Sequence, residues 1–207
     1  MNAEGVDLSI YQSPEHCDWA KMRGAGVDFA IARASIGSAV DPTFFPHVRG
    51  AKASGMLTGA YAFLYPAHPF QAQIDALAQA LSTCPVDFVA LDCEASVPAE
   101  LGQLGAADYY EGAADYCAQT IGEPLIYTYP FYLSTWHKGM AKYPLWISHP
   151  TTASRPLIPG PWTDYTFWQY TDDNVRVQSV PGYPGHALRD RFNGDVTALL
   201  GWAEERA

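Results

Sequence analysis

Basic side chains are scarce in this 207-residue chain: 12 Lys and Arg stand against 22 Asp and Glu, a formal net charge of -10. Nucleic-acid binding by phosphate neutralisation needs a basic face, so that class is excluded. No run of eighteen apolar residues occurs, so no membrane-spanning helix is expected. The opening residues Met1-Asn2-Ala3-Glu4 carry neither a basic segment nor an apolar stretch, so no signal peptide is expected. The four cysteines, Cys17, Cys84, Cys93 and Cys117, show no Cys-x-x-Cys spacing. That argues against structural zinc and for free, buried thiols. The six histidines form no i, i+4 pair and no metal motif, and read as surface or loop residues. No metal and no cofactor is expected. No internal repeat, linker or low-complexity block divides the chain, so residues 1–207 read as one domain.

Apolar residues make up 48% of the chain and aromatics 14%, enough for a sizeable core with some surface left for stacking. One stretch organises the rest: Val86-Asp87-Phe88-Val89-Ala90-Leu91-Asp92-Cys93-Glu94. It reads as a buried strand after Pro85. On a strand, Phe88, Ala90, Asp92 and Glu94 share one face, and Val89, Leu91 and Cys93 share the other. The Cα atoms of the two acids should lie roughly 6.6 Å apart, twice the strand rise. Two carboxyls that close raise the pKa of one, which suits a general acid at neutral pH. The plain reading of this stretch alone is a strand ending in two solvated acids.

Taken in order, Gly5 to Ile10 alternates as a first strand, and Asp18 caps a short helix ending at Gly24 or Gly26. Val27 to Ala34 is a second strand. Asp41-Pro42 reads as an N-cap and first helical position, for a helix that stops near Gly55. Thr58 to Leu64 is a third strand. Gln71 to Ser82 is helical, with Ile74, Leu77, Ala78 and Leu81 on one stripe. Ala106 to Ile121 is helical again, Pro124 to Thr128 is a fifth strand, and Pro130 opens another helix. Leu145 to Ser148 and Tyr165 to Tyr170 are strand-like. Pro150, Pro156, Pro159, Pro161, Pro181 and Pro184 imply loop connections there, since proline breaks helix interiors. Val196 to Glu205 closes the chain as a helix. Alternating strands and helices argue a parallel sheet. The fold class is therefore α/β, a single irregular (β/α) barrel of about eight strands with an incomplete helical ring. The chain is shorter than the usual eightfold barrel of about 250 residues, which agrees. Barrel chemistry sits at the carboxyl ends of strands, where Asp7, Asp92, Glu94, Arg33, Tyr61, Tyr127 and Trp146 fall.

These residues resemble the glycoside hydrolase family 25 lysozymes, the Chalaropsis-type muramidases of bacteria, fungi and phage lysins. The resemblance runs nearly end to end and is strongest at Asp7-Leu8-Ser9-Ile10-Tyr11-Gln12 and Ala90-Leu91-Asp92-Cys93-Glu94. Arg33 in Ala32–Gly37, Tyr61 and Phe63 in Gly59–Phe63, Tyr127, Trp146 and Trp168-Gln169-Tyr170 support it. It implies a flattened, β5α3-like barrel and hydrolysis of the β-1,4 bond between N-acetylmuramic acid and N-acetylglucosamine. It implies peptidoglycan glycan strands as the partner, a monomer, and action at the bacterial wall, with synthesis in a host cytoplasm if the chain is a phage endolysin domain. By the same resemblance Glu94 is the general acid/base, Asp92 assists the acetamido group, and Asp7 shapes the site. Arg33, Tyr61, Phe63, Tyr127, Trp146 and Gln169 are the expected substrate contacts.

Three departures stand out. Ala62 replaces a frequent His, and Ile36 a frequent Glu. Aligned on Phe192-Asn193-Gly194, the family's Asp-x-Asn-x-Phe-x-Gly pattern places Leu188 at the Asp and Asp190 at the Asn. Either Asp190 supplies the fourth catalytic acid after a local shift, or that role is absent. Tyr61, Tyr127 and Trp168 read first as core aromatics and second as sugar platforms. Arg33 could equally pair with a nearby acid. Two other classes compete. A metal-dependent barrel phosphodiesterase would use Asp92 and Glu94 as Mg²⁺ or Ca²⁺ ligands, but few basic residues are present to hold phosphate. A non-catalytic wall-binding module would keep the barrel and lose the chemistry.

Overall fold

Period-two alternation along the strands sorts the side chains into two apolar layers and thereby closes a barrel. The computed structural model describes residues 1–172 and 178–206. In chain order the elements are β1 (Glu4–Leu8), α1 (Trp19–Gly24), β2 (Val27–Ile36), β3 (Ala39–Val40), α2 (Phe44–Ala53), β4 (Leu57–Phe63), α3 (Phe70–Thr83), β5 (Phe88–Asp92), α4 (Gly102–Thr120), β6 (Leu125–Thr128), β7 (Leu145–Ser148), β8 (Phe167–Gln169), β9 (Leu188–Phe192) and α5 (Val196–Glu204). The sheet order is β1-β9-β8-β7-β6-β5-β4-β2-β3, and β1 also pairs with β2. Eight strands therefore close on themselves, with β3 as an added antiparallel edge on β2. β9 runs antiparallel to both its neighbours, β1 and β8. The pairs from β1–β2 round to β7–β8 are parallel.

Inside the barrel, Phe29, Ile31, Phe88, Ala90, Leu125, Phe167 and Phe192 form an apolar plug. Leu199 and the partly buried Trp202 of α5 cover it from the amino ends of the strands. Rings meet closely: Phe88 stacks on Phe167 at 5.3 Å between centroids, and Phe29 meets Phe167 edge-on at 5.1 Å. Two strand glycines make room for this. A Cβ at Gly5 would lie 2.1 Å from the Phe29 ring, and one at Gly59 would lie 2.3 Å from Phe88. Burying each such ring contributes about 1.5–3 kcal/mol. Outside the barrel, Ala32, Ala34, Val89, Leu91 and Cys93 pack beneath α2, α3 and α4. The small alanines let the helices sit close to the sheet.

Asp18 caps α1 as expected, accepting from Lys21 N–H, and α3, α4 and α5 match their periodicity. Four expectations are corrected. No helix opens at Pro130; a turn follows β6, and only a 3-10 segment at Lys138–Lys142 precedes β7. Proline preorganises a first helical turn but supplies no apolar stripe to hold the rest. Asp41 does not cap α2, which starts at Phe44 behind Thr43. Strand β9, with three charges in five residues, adds a strand beyond those the periodicity predicts. His47 is buried in α2, edge-on to Trp19 at 5.9 Å, and is not a surface residue. The four cysteines are free thiols, three of them buried. Among the described residues, no helix is long and apolar enough to cross a membrane.

Candidate active site

Above the apolar plug the barrel interior turns polar. The strands that bury phenylalanine low down present Asp7, Arg33, Tyr61, Asp92, Tyr127, Trp146 and Gln169 near their carboxyl ends. These residues, with Phe63 and Glu94, line a cleft of about 790 Å³. Every expected substrate contact is therefore on one surface, together with three of the four expected acids. Asp92 and Glu94 reach the cleft as the alternation requires: β5 turns Phe88, Ala90 and Asp92 inward, and Glu94 follows just past the strand. Trp168 faces outward and donates to the His149 carbonyl at 2.9 Å, so it is a core aromatic. Tyr61 and Tyr127 are both core and cleft wall, packing edge-on to Trp146 at 6.1 and 4.6 Å.

Hydrogen bonds fix the acids one by one. The Gln169 Oε1 accepts from the Tyr127 hydroxyl at 2.9 Å and the Ser148 hydroxyl at 2.7 Å. Its amide Nε2 is thereby turned to Asp7, donating to Oδ2 at 2.9 Å. Arg33 donates through Nε to Asp41 Oδ2 at 2.7 Å. Asp41 Oδ1 takes the Thr43 hydroxyl and backbone N–H. The guanidinium also lies 5.6 Å from the centre of the exposed Tyr11 ring. Beneath the cleft, Trp146 Nε1 donates to Asp190 Oδ1 at 2.7 Å. Asp92 Oδ1 is buried without a hydrogen-bond partner among the described residues.

Burial dominates the electrostatics. It pushes Asp7 up to about 6, against the hydrogen bonds from Gln169 and Asp190. It raises Asp92 well above the usual carboxylate range, reinforced by the charges of Glu94 and Asp7 and opposed by Arg33. Glu94 is raised by burial and then by Asp7. Such a cluster cannot ionise fully near neutral pH, so it holds protons where a general acid is needed. Among the described residues no group of three or more His, Cys, Asp or Glu is disposed to hold a metal ion.

The glycosyl hydrolases family 25 model matches residues 6–179. The chain belongs to that family. It is 29% identical over 221 residues to Lysozyme M1 of Streptomyces globisporus, covering 99% of this chain and 72% of that one. It superposes on the bacterial lysozyme from Streptomyces coelicolor with a TM-score of 0.84 at 26% identity, over 100% and 99% of the two chains. A muramidase from Acremonium alcalophilum gives 0.81 at 25% identity, over 98% and 99%. The flattened eight-strand barrel of this family 25 enzyme is thus shared with lysozymes of known structure, and the chain is a glycoside hydrolase.

The family 25 cleft contains residues that sequence reasoning passed over as contacts. Ser9, Tyr11 and Gln12 line it, although they lie in the quoted Asp7–Gln12 motif. Gln12 accepts from Ser9 N–H at 3.0 Å and donates to the His186 carbonyl at 3.0 Å, tying the loop after β1 to the segment before β9. Ile36, Tyr65, Tyr183, Gly185, His186 and Leu188 complete the wall. Leu188 pairs directly with Asp7, whereas Asp190 lies opposite Gly5 with no exposed surface. No local shift brings Asp190 to the cleft, so the fourth acid reaches it only through the cleft residues Asp7 and Trp146. A second groove, about 680 Å³, runs between residues 130–136 and Pro159–Pro161, and among the described residues no carboxylate lines it.

Proposed function

We propose that this enzyme is a peptidoglycan hydrolase, an N-acetylmuramidase that cleaves the β-1,4 bond between N-acetylmuramic acid and N-acetylglucosamine. The observation that carries the reading is the pair Asp92 and Glu94, set on one strand end and facing one cleft, both with raised affinity for a proton. Membership of family 25 and the likeness to lysozymes and a muramidase support it. All the cleft acids come from one chain, so we take the monomer as the working unit, residues 1–207 as one catalytic domain, and the bacterial wall as its place of action.

Asp92 and Glu94 titrate as a pair. A substrate acetamido N–H placed against the cleft-facing edge of Asp92 stabilises the Asp92 carboxylate and leaves the proton on Glu94. Glu94 then protonates the departing glycosidic oxygen. The acetamido carbonyl oxygen attacks the anomeric carbon as that bond breaks, and Asp92 balances the positive charge of the cyclic intermediate. Glu94, now a carboxylate, takes a proton from water, which opens the intermediate from the face the leaving group vacated. The two displacements retain the β-configuration without an ester to the enzyme, a known exception to the two-carboxylate scheme. Arg33 favours the charged Asp92, and Tyr61, Tyr127 and Trp146 wall off water. Clearing of purified walls by the wild type and its loss in Glu94→Gln, which folds as before, tests this reading. Wild-type clearing by Glu94→Gln contradicts it.

A further inference from the structure

Asp7 and Asp190 are diagonal neighbours on the inner face of β1 and β9, because Asp7 pairs with Leu188 and Gly5 with Asp190. Such neighbours stand about 7–8 Å apart at Cα, within reach of two carboxyl side chains. The donors around them are accounted for. Trp146 Nε1 serves Asp190 Oδ1, and Gln169 Nε2 serves Asp7 Oδ2. Asp190 Oδ2 is buried and has no donor among the described residues. An ionised carboxylate only accepts, so the two acids can meet favourably only with a proton between them.

We propose that Asp190 is the positioning residue of this acid cluster: a neutral carboxylic acid beneath the cleft that donates a hydrogen bond to the Asp7 carboxylate and fixes how Asp7 faces the substrate. It rests on the glycosidase reading for its purpose, though its protonation is a property of the free protein.

The proton belongs on Asp190 for two reasons. Asp190 is fully buried with a single neutral donor, while Asp7 borders the cleft and also takes the Gln169 amide. Burial and the Asp7 charge both drive Asp190 towards its neutral form. The remaining charges do not relieve it. On β1, Glu4 is a further anion, but it is paired with Arg189 and Arg191 of β9. β7 and β8 offer Trp146 and Gln169, which are uncharged. Across the cleft stand Asp92, Glu94, Tyr61 and Tyr127, with Arg33 already paired to Asp41. A protonated acid presents one donor and one acceptor, as a side-chain amide does. A neutral asparagine at this position could therefore serve the same bonds.

The test is carboxyl ¹³C NMR titration of the free enzyme, with kcat and KM on peptidoglycan alongside, for the wild type, Asp190→Asn and Asp190→Ala. In the wild type Asp7 titrates near 6 while the Asp190 signal stays that of a protonated acid. Asp190→Asn leaves the Asp7 midpoint and kcat close to wild type. Asp190→Ala removes a bond that favours charged Asp7, so the Asp7 midpoint rises, and kcat drops about 10²-fold with little change in KM. A fall of the Asp7 midpoint in Asp190→Asn shows that an anion was removed and overturns the proposal. So does an Asp190→Ala protein with unchanged midpoint and kcat. Should Asp190→Ala fail to fold, the wild-type and Asp190→Asn titrations decide alone. A wild type inactive on peptidoglycan overturns the muramidase reading, while the titrations still judge Asp190.

Discussion

Arg33, which lines the cleft, and Asp41 behind it form an ion pair at 2.7 Å, with side chains 8% and 1% exposed. The pair does more than neutralise itself. Asp41 Oδ2 also accepts from Ile10 N–H at 3.3 Å, so it anchors the loop that carries Tyr11 and Gln12. Removing one member of a buried pair strands the other charge, at a cost of about 3–5 kcal/mol. Asp41→Ala should lose stability of that order by urea denaturation. A loss no larger than that of a surface substitution would show that Arg33 finds solvent.

The raised acids make stability depend on pH in an unusual direction. Asp7 has its folded-state pKa lifted to about 6 from an ordinary 3.8. Between those values the unfolded chain has released the proton and the folded chain keeps it. The contribution is therefore present in acid and lost as pH rises through about 6. At one pKa unit per ~1.4 kcal/mol, ionised Asp7 costs the fold up to about 3 kcal/mol at neutral pH. Asp7→Asn should be more stable than wild type at pH 7, with a gain that shrinks towards pH 4. Urea midpoints across that range measure it. An offset that does not vary with pH contradicts the assignment.

Tyr11 is 81% exposed at the mouth of the cleft, its ring backed by Arg33. A flat exposed ring there offers a stacking face to a sugar. Tyr11→Ala should raise KM by roughly the 0.5–1.5 kcal/mol typical of one aromatic contact, about 2–12-fold, with kcat little changed. Unchanged KM on long glycan strands would remove Tyr11 from the binding surface.

Stereochemistry tests the acetamido mechanism. NMR of fresh product from a defined glycan fragment should show the β-anomer first. Initial α-anomer marks an inverting reaction, and a trapped ester on Asp92 seen by mass spectrometry marks a carboxylate nucleophile.

Much of this architecture is legible in residue order, because one rule of alternation governs both strands and cleft. Alternation alone assigns Phe88, Ala90, Asp92 and Glu94 to one face, and they line one interior. What fails is instructive. Leu188–Phe192 reads as polar because Arg189 and Arg191 face out to Glu4, and the buried Asp190 looks like a third surface charge. Only the partners reveal it as interior. Asp41 looks like a helix cap because Asp-Pro is a capping pattern, yet its carboxylate is shared between Arg33 and Thr43 ahead of the helix, which starts at Phe44. The roles of Ser9, Tyr11 and Gln12 depend on a loop-to-loop contact between Gln12 and His186, 174 positions apart, which no local pattern encodes.

The chemical identity of the newly made chain end decides the reaction. Purified peptidoglycan is digested with the wild-type enzyme and with Glu94→Gln, reduced with borohydride, and its fragments analysed by mass spectrometry. Cleavage on the reducing side of N-acetylmuramic acid gives fragments ending in N-acetylmuramitol. The Glu94→Gln digest should yield them about 10²–10⁴-fold more slowly, the usual worth of general acid catalysis. Fragments ending in N-acetylglucosaminitol, or muramitol ends formed equally fast by Glu94→Gln, would contradict the muramidase assignment.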